Sequence, residues 1–280
     1  MTGLFGLKPF GIVTAGLLAA ATAGLAAPAA AQSIQDKAWI EVSAYFPSIN
    51  TDATVTRPGF PGTDIDLESD LGLDKHETLP AVYAGWRFTD RFTLIGEYYA
   101  LDRNGSRVLS RDINFGDATF PASFEVKSEL HSDIYRVALG YSFIKNEQSE
   151  LGASLGLHAT DFKIDLSGQA RVGGATGLQN NRQSTDFLAP MPTVGVFGTF
   201  EPMPKVIMTG RADYMSLKIG DYDGSIFNGQ AAIGYRVYGN VDVGVSYRYV
   251  KYKLDVDKRL QTHLDYRFSG PSVFLRIGFQ

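Results

Sequence analysis

Two short His-x-Asp motifs are the residues of this sequence whose types and spacing could do catalytic chemistry. They are His131-Ser132-Asp133 and His263-Leu264-Asp265. An imidazole oriented by a carboxylate can act as a general base, and a serine within its reach can become a nucleophile. Because the 280 residues include no cysteine, thiol nucleophiles, disulfides and cysteine zinc ligands are excluded. A surface hydrolase is therefore one hypothesis to weigh.

An acidic stretch within residues 47–78 is the second candidate. From Asp64 onward it places side-chain oxygens at alternate positions, as at the start of a calcium-binding loop. It fails the EF-hand pattern, because Ser69 stands where glycine is needed and Lys75 where the final glutamate is needed. We expect a solvated, acidic surface hairpin, with a weak divalent-cation site as the alternative. No other metal site and no cofactor site is predicted.

Composition narrows the class of protein that could carry these residues. The chain has 44% hydrophobic and 20% charged residues, with 30 glycines, 18 Phe, 14 Tyr and 2 Trp. That is too apolar for a disordered chain. The net charge of −4 offers no basic surface, so no nucleic-acid partner is expected.

The first 31 residues have the features of a secretory signal peptide. Lys8 provides the positive start, Phe10 to Leu25 form an apolar stretch, and Ala29-Ala30-Ala31 fits a cleavage site before Gln32. We therefore expect an exported protein with one mature domain, residues 32–280. No later apolar run is long enough for a transmembrane helix.

The mature chain alternates apolar and polar residues with period two, which indicates β-strands. In one segment Tyr135, Val137 and Leu139 lie on the face opposite Arg136 and Gly140. Ten such segments follow one another at 39–46, 82–88, 92–103, 135–143, 150–160, 194–200, 206–214, 231–237, 243–249 and 273–279.

The connections between these segments alternate between short and long. Tight turns are expected at 89–91, 145–149, 201–204 and 239–240, and long polar loops at 47–78, 104–123, 167–185, 218–225 and 256–262. This asymmetry, with aromatic residues beside the turns, is typical of outer-membrane barrels with periplasmic turns and extracellular loops. The predicted fold is all-β: a transmembrane antiparallel β-barrel of ten strands, with eight or twelve as alternatives.

Several motifs resemble a group of small proteobacterial outer-membrane β-barrel proteins. They are the run from Asp64 to Asp74, the stretch Tyr83 to Arg91, Tyr141-Ser142-Phe143, Glu150 to Leu157, and Gly220 to Gly224. The resemblance implies insertion into the cell outer membrane, among lipid and lipopolysaccharide. It also implies recognition of the last strand by the barrel-assembly machinery through Phe279, although one residue, Gln280, follows that aromatic. It implies no catalytic residue.

Strand parity assigns a set of charged side chains to the lumen. Such charges must be paired or hydrated, since lipid would cost roughly 2–4 kcal/mol per basic side chain at the bilayer centre. A salt-bridged network that plugs a narrow barrel is the favoured interpretation, and an anion-selective pore with an excess of arginine is the alternative. His158 is expected to belong to the same network. The predicted set is Glu41, Arg87, Glu97, Arg136, Arg211, Asp213, Arg236, Arg248 and Arg276.

Parity also argues against the hydrolase. His131 and Asp133 share the lipid-facing parity of Tyr135, while Ser132 points inward without an inward base. His263 and Asp265 are outward as well, unless a bulge at Gly270-Pro271 shifts the register. The glycine-rich stretch 168–177 predicts a flexible surface loop. The sequence thus favours a structural or surface-interacting barrel over a pore, and a pore over a hydrolase.

Overall fold

The computed structural model describes residues 33–257 and 260–280, apart from the side chains of Ile219 and Tyr222. The predicted signal peptide, residues 1–31, lies outside the described residues. In the described ranges no helix has the length and apolar character needed to cross a membrane. The described part begins with one turn of 3-10 helix, Ser33–Gln35, and its other regular elements are strands.

The described chain forms fourteen strands. In chain order they are β1 (Ala38–Tyr45), β2 (Ser48–Thr56), β3 (Ile65–Asp66), β4 (Leu79–Arg87), β5 (Phe92–Val108), β6 (Ile113–Phe115), β7 (Ala118–Phe120), β8 (Glu125–Lys145), β9 (Ser149–Val172), β10 (Gln179–Met203), β11 (Val206–Ile219), β12 (Tyr222–Tyr238), β13 (Val241–Asp257) and β14 (Gln261–Phe279).

Ten of these strands form a closed antiparallel ring. Its order is β1-β4-β5-β8-β9-β10-β11-β12-β13-β14, and β14 returns to pair with β1 from Ala38↔Phe279 to Tyr45↔Ser272. The predicted ten-stranded all-β barrel is confirmed. β2, β3, β6 and β7 are additional strands that lie at one end of the ring.

The two ends of the ring differ as predicted. At the turn end, strands are joined by the short connections 88–91, 146–148, 204–205 and 239–240. At the loop end, β9–β10, β11–β12 and β13–β14 run as long hairpins, so most of 167–185, 218–225 and 256–262 is strand. The long connections predicted there are present, but they are built largely as extensions of the wall strands. Residues 168–172 likewise belong to β9 and not to a flexible loop.

Each wall strand presents an apolar outer face near the turn end. On β8 this face carries Tyr135, Val137, Leu139 and Tyr141, which are 43–53% exposed, opposite the buried Arg136. The aromatic residues predicted beside the turns are present too, and neighbouring ones contact each other. The ring centroids lie 5.7 Å apart for Trp86 and Phe88, 6.0 Å for Phe88 and Phe92, and 5.0 Å for Phe92 and Tyr141.

The polarity of the two faces inverts toward the loop end, although the alternation of β8 continues without a break. Glu125, Lys127 and Glu129 point outward there, while Val126 and Leu130 are buried inside. The same inversion occurs along β13 and β14. The loop-end half therefore has an apolar core of the kind found in soluble proteins, whereas the turn-end half has a polar lumen.

Residues 47–78 supply part of that core, so the predicted solvated hairpin was wrong. β2 continues the line of β1 and pairs with β14 from Ser48↔Ser269 to Thr56↔Gln261. The segment that follows turns inward, because the acidic residues of 64–74 alternate with apolar ones that face the interior. Ile65, Leu67, Leu71 and Leu73 are each at most 3% exposed.

A buried ion pair ties this segment to the wall. Arg103 on β5 donates to Glu68 over 2.5 Å, and their side chains are 0% and 2% exposed. Arg103 also donates to the Thr51 hydroxyl at 2.6 Å, while the Thr51 amide donates to Glu68 at 2.9 Å. Both charges thus have several partners, which offsets part of their desolvation.

The β6–β7 hairpin covers the loop end of the core. β7 pairs with the tip of β9, and the amide of Gly116 donates to the carbonyl of Val55 at 2.9 Å. Phe115 and Phe120 are at most 1% exposed, so both rings lie inside. We refer to β2, β3, β6, β7 and the apolar core beneath them as the cap.

The Arg103–Glu68 pair makes the stability of the cap testable. Glu68→Gln leaves the guanidinium buried without its counter-charge, and we expect the free energy of unfolding to fall by about 3–5 kcal/mol. Replacing both partners, as in Glu68→Leu with Arg103→Met, should restore most of the loss. Unfolding of both variants by denaturant in lipid vesicles, monitored by the heat-modifiable mobility of the barrel on gels, measures the loss and its recovery.

Glu129 provides the matched control. It pairs with Arg182 at 3.3 Å, but the two side chains are 64% and 58% exposed. Glu129→Gln should therefore change the stability by no more than about 1 kcal/mol. Equal losses for Glu68→Gln and Glu129→Gln would contradict the buried placement of Glu68.

Candidate functional site: the lumen and its two ends

The predicted lumen residues all lie on the inner side of the turn-end half. A cavity of about 140 Å³ runs between them, lined by Glu41, Glu97, Arg136, Arg211 and Arg248 among others. They face one another across this space because every second residue of each strand points inward.

Glu97 on β5 is the centre of the network. It accepts from Arg211 at 2.8 Å and also from Arg248, although its partners lie more than 100 positions away in the chain. Arg136 forms a two-pronged pair with Asp213, with both contacts at 2.9 Å, and Arg211 reaches Asp213 at 3.1 Å. Five charges from β5, β8, β11 and β13 are thus joined in one chain of ion pairs.

A second layer of ion pairs lies nearer the turn end. Arg87 donates to both oxygens of Glu150 at 2.6 and 2.8 Å, and these side chains are 6% and 5% exposed. Arg236 reaches Asp242 at 2.9 Å, and Arg276 reaches Asp242 at 3.1 Å. Glu150 and Asp242 were missed in the sequence because each stands at the start of its strand, beside a turn.

The expected excess of arginine is wrong once these partners are included. The predicted lumen set contains six arginines and three carboxylates, Glu41, Glu97 and Asp213. Among the described residues, the same space also receives Asp36, Glu150, Glu201 and Asp242. Seven carboxylates then face six arginines, which removes the electrostatic basis for an anion-selective lumen.

Glu41 differs from the other predicted lumen residues. Its side chain lines the cavity between Tyr83 and Arg276, its register neighbours on β4 and β14. It makes no ion pair within 4.0 Å among the described residues. Removing its charge therefore leaves no partner without a counter-charge.

The N-terminal turn closes the turn end of the lumen. Ser33 donates to Asp242 at 3.0 Å, and the amide of Ile34 donates to Glu201 at 3.2 Å. Ile34 is only 1% exposed, and Asp36 pairs with Arg276 at 3.0 Å. The first described residues thus lie inside the wall.

His158 does not join the ion pairs, contrary to expectation. It is 1% exposed and its Nε2 contacts the hydroxyl of Tyr252, which also accepts from Thr160 at 3.1 Å. Its ring packs edge-on against Tyr252 with centroids 5.5 Å apart. His158 therefore lies at the boundary between the polar lumen and the apolar core of the cap.

Both His-x-Asp motifs face outward, as parity predicted. His131 lies between two carboxylates, with Nδ1 on Asp102 and Nε2 on Asp133 at 2.8 Å. Ser132 is fully buried on the opposite face of β8. His263 contacts Asp255 at 2.7 Å on the outer surface, and its side chain is 50% exposed.

No shift of register occurs at Gly270-Pro271, since the pairing of β13 with β14 runs regularly through both residues. Neither histidine can therefore reach the lumen. No group of three or more potential ligand side chains is placed to hold a metal ion in the described ranges.

Glu97 gives a test of the lumen network. Glu97→Gln leaves two buried guanidinium groups with fewer counter-charges, and we expect unfolding to become easier by about 3–5 kcal/mol. Glu41→Gln is the matched control, since it removes a lumen carboxylate that has no ion pair. Chemical unfolding of both variants in the same vesicles compares them, and an equal loss would disprove the central role of Glu97.

His131 gives a test of pH dependence. Hydrogen bonds to Asp102 and Asp133 raise its pKa above the ordinary value of 6.5. The protonated ring therefore stabilises the fold fully below pH 6.5, and this contribution is lost as the pH rises through the raised pKa. NMR titration of the imidazole should show the raised pKa, and Asp133→Asn should lower it. A wild-type pKa of 6.5 or less would refute the contact.

Comparisons with known proteins agree with this architecture. Residues 17–268 match the sequence profile of the family described as "Outer membrane protein beta-barrel domain". No curated protein matches the sequence. The outer membrane protease OmpT of Escherichia coli is similar in structure, with a TM-score of 0.54 and 12% identity over 86% of this chain and 97% of that one. This likeness shows the fold alone.

Two further solved barrels align over most of their length. Ail, the attachment invasion locus protein of Yersinia pestis, has a TM-score of 0.28 and 12% identity, over 84% of this chain and 99% of that one. The Pseudomonas putida toluene transporter TodX has a TM-score of 0.35 and 10% identity, over 88% and 91%.

The family match spans most of the chain and agrees with the ring of ten strands. The protein is accordingly located in the cell outer membrane. The chain belongs to the outer membrane protein beta-barrel domain family.

Proposed function

We propose that this protein is a closed, non-conducting barrel that serves a structural or interaction role at the cell surface. The observation that carries the proposal is the apolar core of the cap. Tyr99, Phe162, Tyr252, Tyr266 and Phe268 fill the barrel at the base of the cap and are at most 1% exposed. A filled apolar interior gives ions no hydrated path.

The turn-end half supports the same proposal. Its charges are engaged in ion pairs such as Arg136–Asp213 and Arg87–Glu150, and the N-terminal turn packs into its mouth. A narrow pore for small solutes or anions is the second candidate, favoured only by the cavity of about 140 Å³ around Glu97. That cavity ends beneath the cap.

A hydrolase at the rim is a weaker candidate. The likeness to the protease OmpT concerns the fold, and catalysis needs a nucleophile or activated water beside an aligned base. His131 and His263 lie on the outer surface, and Ser132 is buried on the other side of its strand. The proposal is therefore a barrel without enzymatic activity.

We propose that the turn end faces the periplasm and the cap lies outside the cell, and the partners follow from this position. The exposed apolar band of the turn-end half would contact outer-membrane lipid and lipopolysaccharide. The end of β14, with Phe279 exposed on its outer face, would be recognised by the barrel-assembly machinery. The surfaces available for interactions outside the cell are then the outer rim of the cap, including residues 57–64, and the tip of the β9–β10 hairpin at 173–178.

Conductance in planar bilayers tests the closed barrel. The full protein should show no discrete current steps, because the cap seals the loop end. A variant in which a short Gly-Ser link replaces residues 57–78 loses Leu67, Leu71 and Leu73 from the core, and we expect brief conductance events from it. Steady, ion-selective steps from the unmodified protein would establish the pore instead.

A further inference from the structure

One part of the wall is not closed over its full height. β10 pairs with β11 only from Val194↔Tyr214 down to Met203↔Val206. Above that point residues 179–193 of β10 pair with β9 alone, and the upper part of β11 pairs only with β12. A seam therefore opens between β10 and β11 on the loop-end side of Val194.

Elsewhere the loop-end half of the wall is covered by additional strands or segments. β2 replaces β1 as the pairing partner of β14 in this half. The inward segment of 65–78 lies along the upper half of β5, so closely that a Cβ on Gly105 would come within 2.8 Å of the backbone of Gly72. In the described chain the β10–β11 seam has no such covering element.

Two prolines explain why the seam persists. Pro190 and Pro192 lie on β10 just above the last paired residue, opposite Ala159 and Leu157 of β9. The ladder to β9 continues across both, so the missing N–H groups are those that would have pointed toward β11. Proline in a strand is tolerated at an edge, and here it keeps that edge free of hydrogen bonds.

The seam is lined with apolar side chains. A narrow cleft of about 30 Å³ lies between Pro190, Pro192, Met191, Met215, Leu217, Gly224 and Leu254. Leu217 has the same inward parity as Asp213, yet it is 44% exposed, because the wall beside it is open. The lining offers no charged group that could bind a headgroup.

The position of the seam identifies what meets it. Directly below lie Val194 and Tyr214, which are 58% and 55% exposed on the lipid-facing band. The exposed Pro192 and Pro190 continue that apolar surface upward on β10. The cleft is thus continuous with the surface that contacts the outer leaflet.

We propose that the seam receives the hydrocarbon chain of an outer-leaflet lipid, whose terminal carbons enter between β10 and β11 toward Met191 and Leu254. The apolar lining matches a saturated chain, and the cleft has room for the end of a chain and not for a headgroup. An extended peptide is the competing occupant, but the two prolines remove donors that strand addition would use.

Gly224 on β12 keeps the cleft open. A Cβ at this position would lie 3.2 Å from Leu254 Cδ1 and 3.3 Å from Met191 Cε. A larger side chain here would therefore occupy the space that the hydrocarbon chain enters. Gly224→Leu is accordingly the variant that should block the seam.

Tryptophan fluorescence in vesicles tests the proposal. The full mature chain, with Trp39→Phe and Trp86→Phe, is refolded into phosphatidylcholine vesicles with or without bromine atoms on the acyl chains. Met215→Trp then reports the seam, Val194→Trp the lipid-facing surface, and Tyr266→Trp the interior of a fully paired wall. We expect brominated chains to quench Met215→Trp about as strongly as Val194→Trp, and Tyr266→Trp hardly at all.

The Gly224→Leu variant distinguishes quenching by a hydrocarbon chain in the cleft from quenching by lipid outside the wall. Adding Gly224→Leu to Met215→Trp should abolish most of the quenching if the chain enters the cleft, while heat-modifiable mobility confirms that the barrel remains folded. Quenching of Met215→Trp no greater than that of Tyr266→Trp overturns the proposal. Quenching that persists with Gly224→Leu also overturns it, because the indole would then meet lipid from outside the wall.

Discussion

Backbone amides inside a bilayer must find their hydrogen-bond partners within the protein, and closure of the sheet meets this requirement. Here the closure is the pairing of β1 with β14, eight residues long from Ala38↔Phe279 to Tyr45↔Ser272. Once the ring is closed, each strand has one face toward lipid and one toward the lumen. The lumen network, the apolar band and the outward position of both His-x-Asp motifs all follow from that division.

The shortness of β1 has a second effect. The upper half of β14 extends beyond β1, so another segment must satisfy its edge, and β2 does so. The chain between β2 and β4 is then held close to the interior, where Leu67, Leu71 and Leu73 join the apolar core. The cap is thus a consequence of how the ring is closed, and the buried Arg103–Glu68 pair fixes it to β5.

The sequence was sufficient to predict the ten strands, their inward and outward faces, and the short turns at one end. It was insufficient for the loop-end half, because the alternation inverts there. Outward charges such as Arg182 and Lys218, together with glycine-rich tips, resembled loops. In residues 64–74 the acidic positions favoured a solvated hairpin, although the leucines between them are buried. Partners such as Glu97 and Arg248 are 151 positions apart, and only the three-dimensional register brings them together.

The inversion of polarity along β8 also fixes the depth of the barrel in the bilayer. Below Ile134 the outer face is apolar, and above it the outer face carries His131, Glu129 and Lys127. Moving the barrel deeper into the bilayer would place these polar groups in hydrocarbon. Moving it out of the bilayer would expose Tyr135 and Val137 to water. Both displacements are unfavourable, so the strands themselves hold the protein at one vertical position in the bilayer.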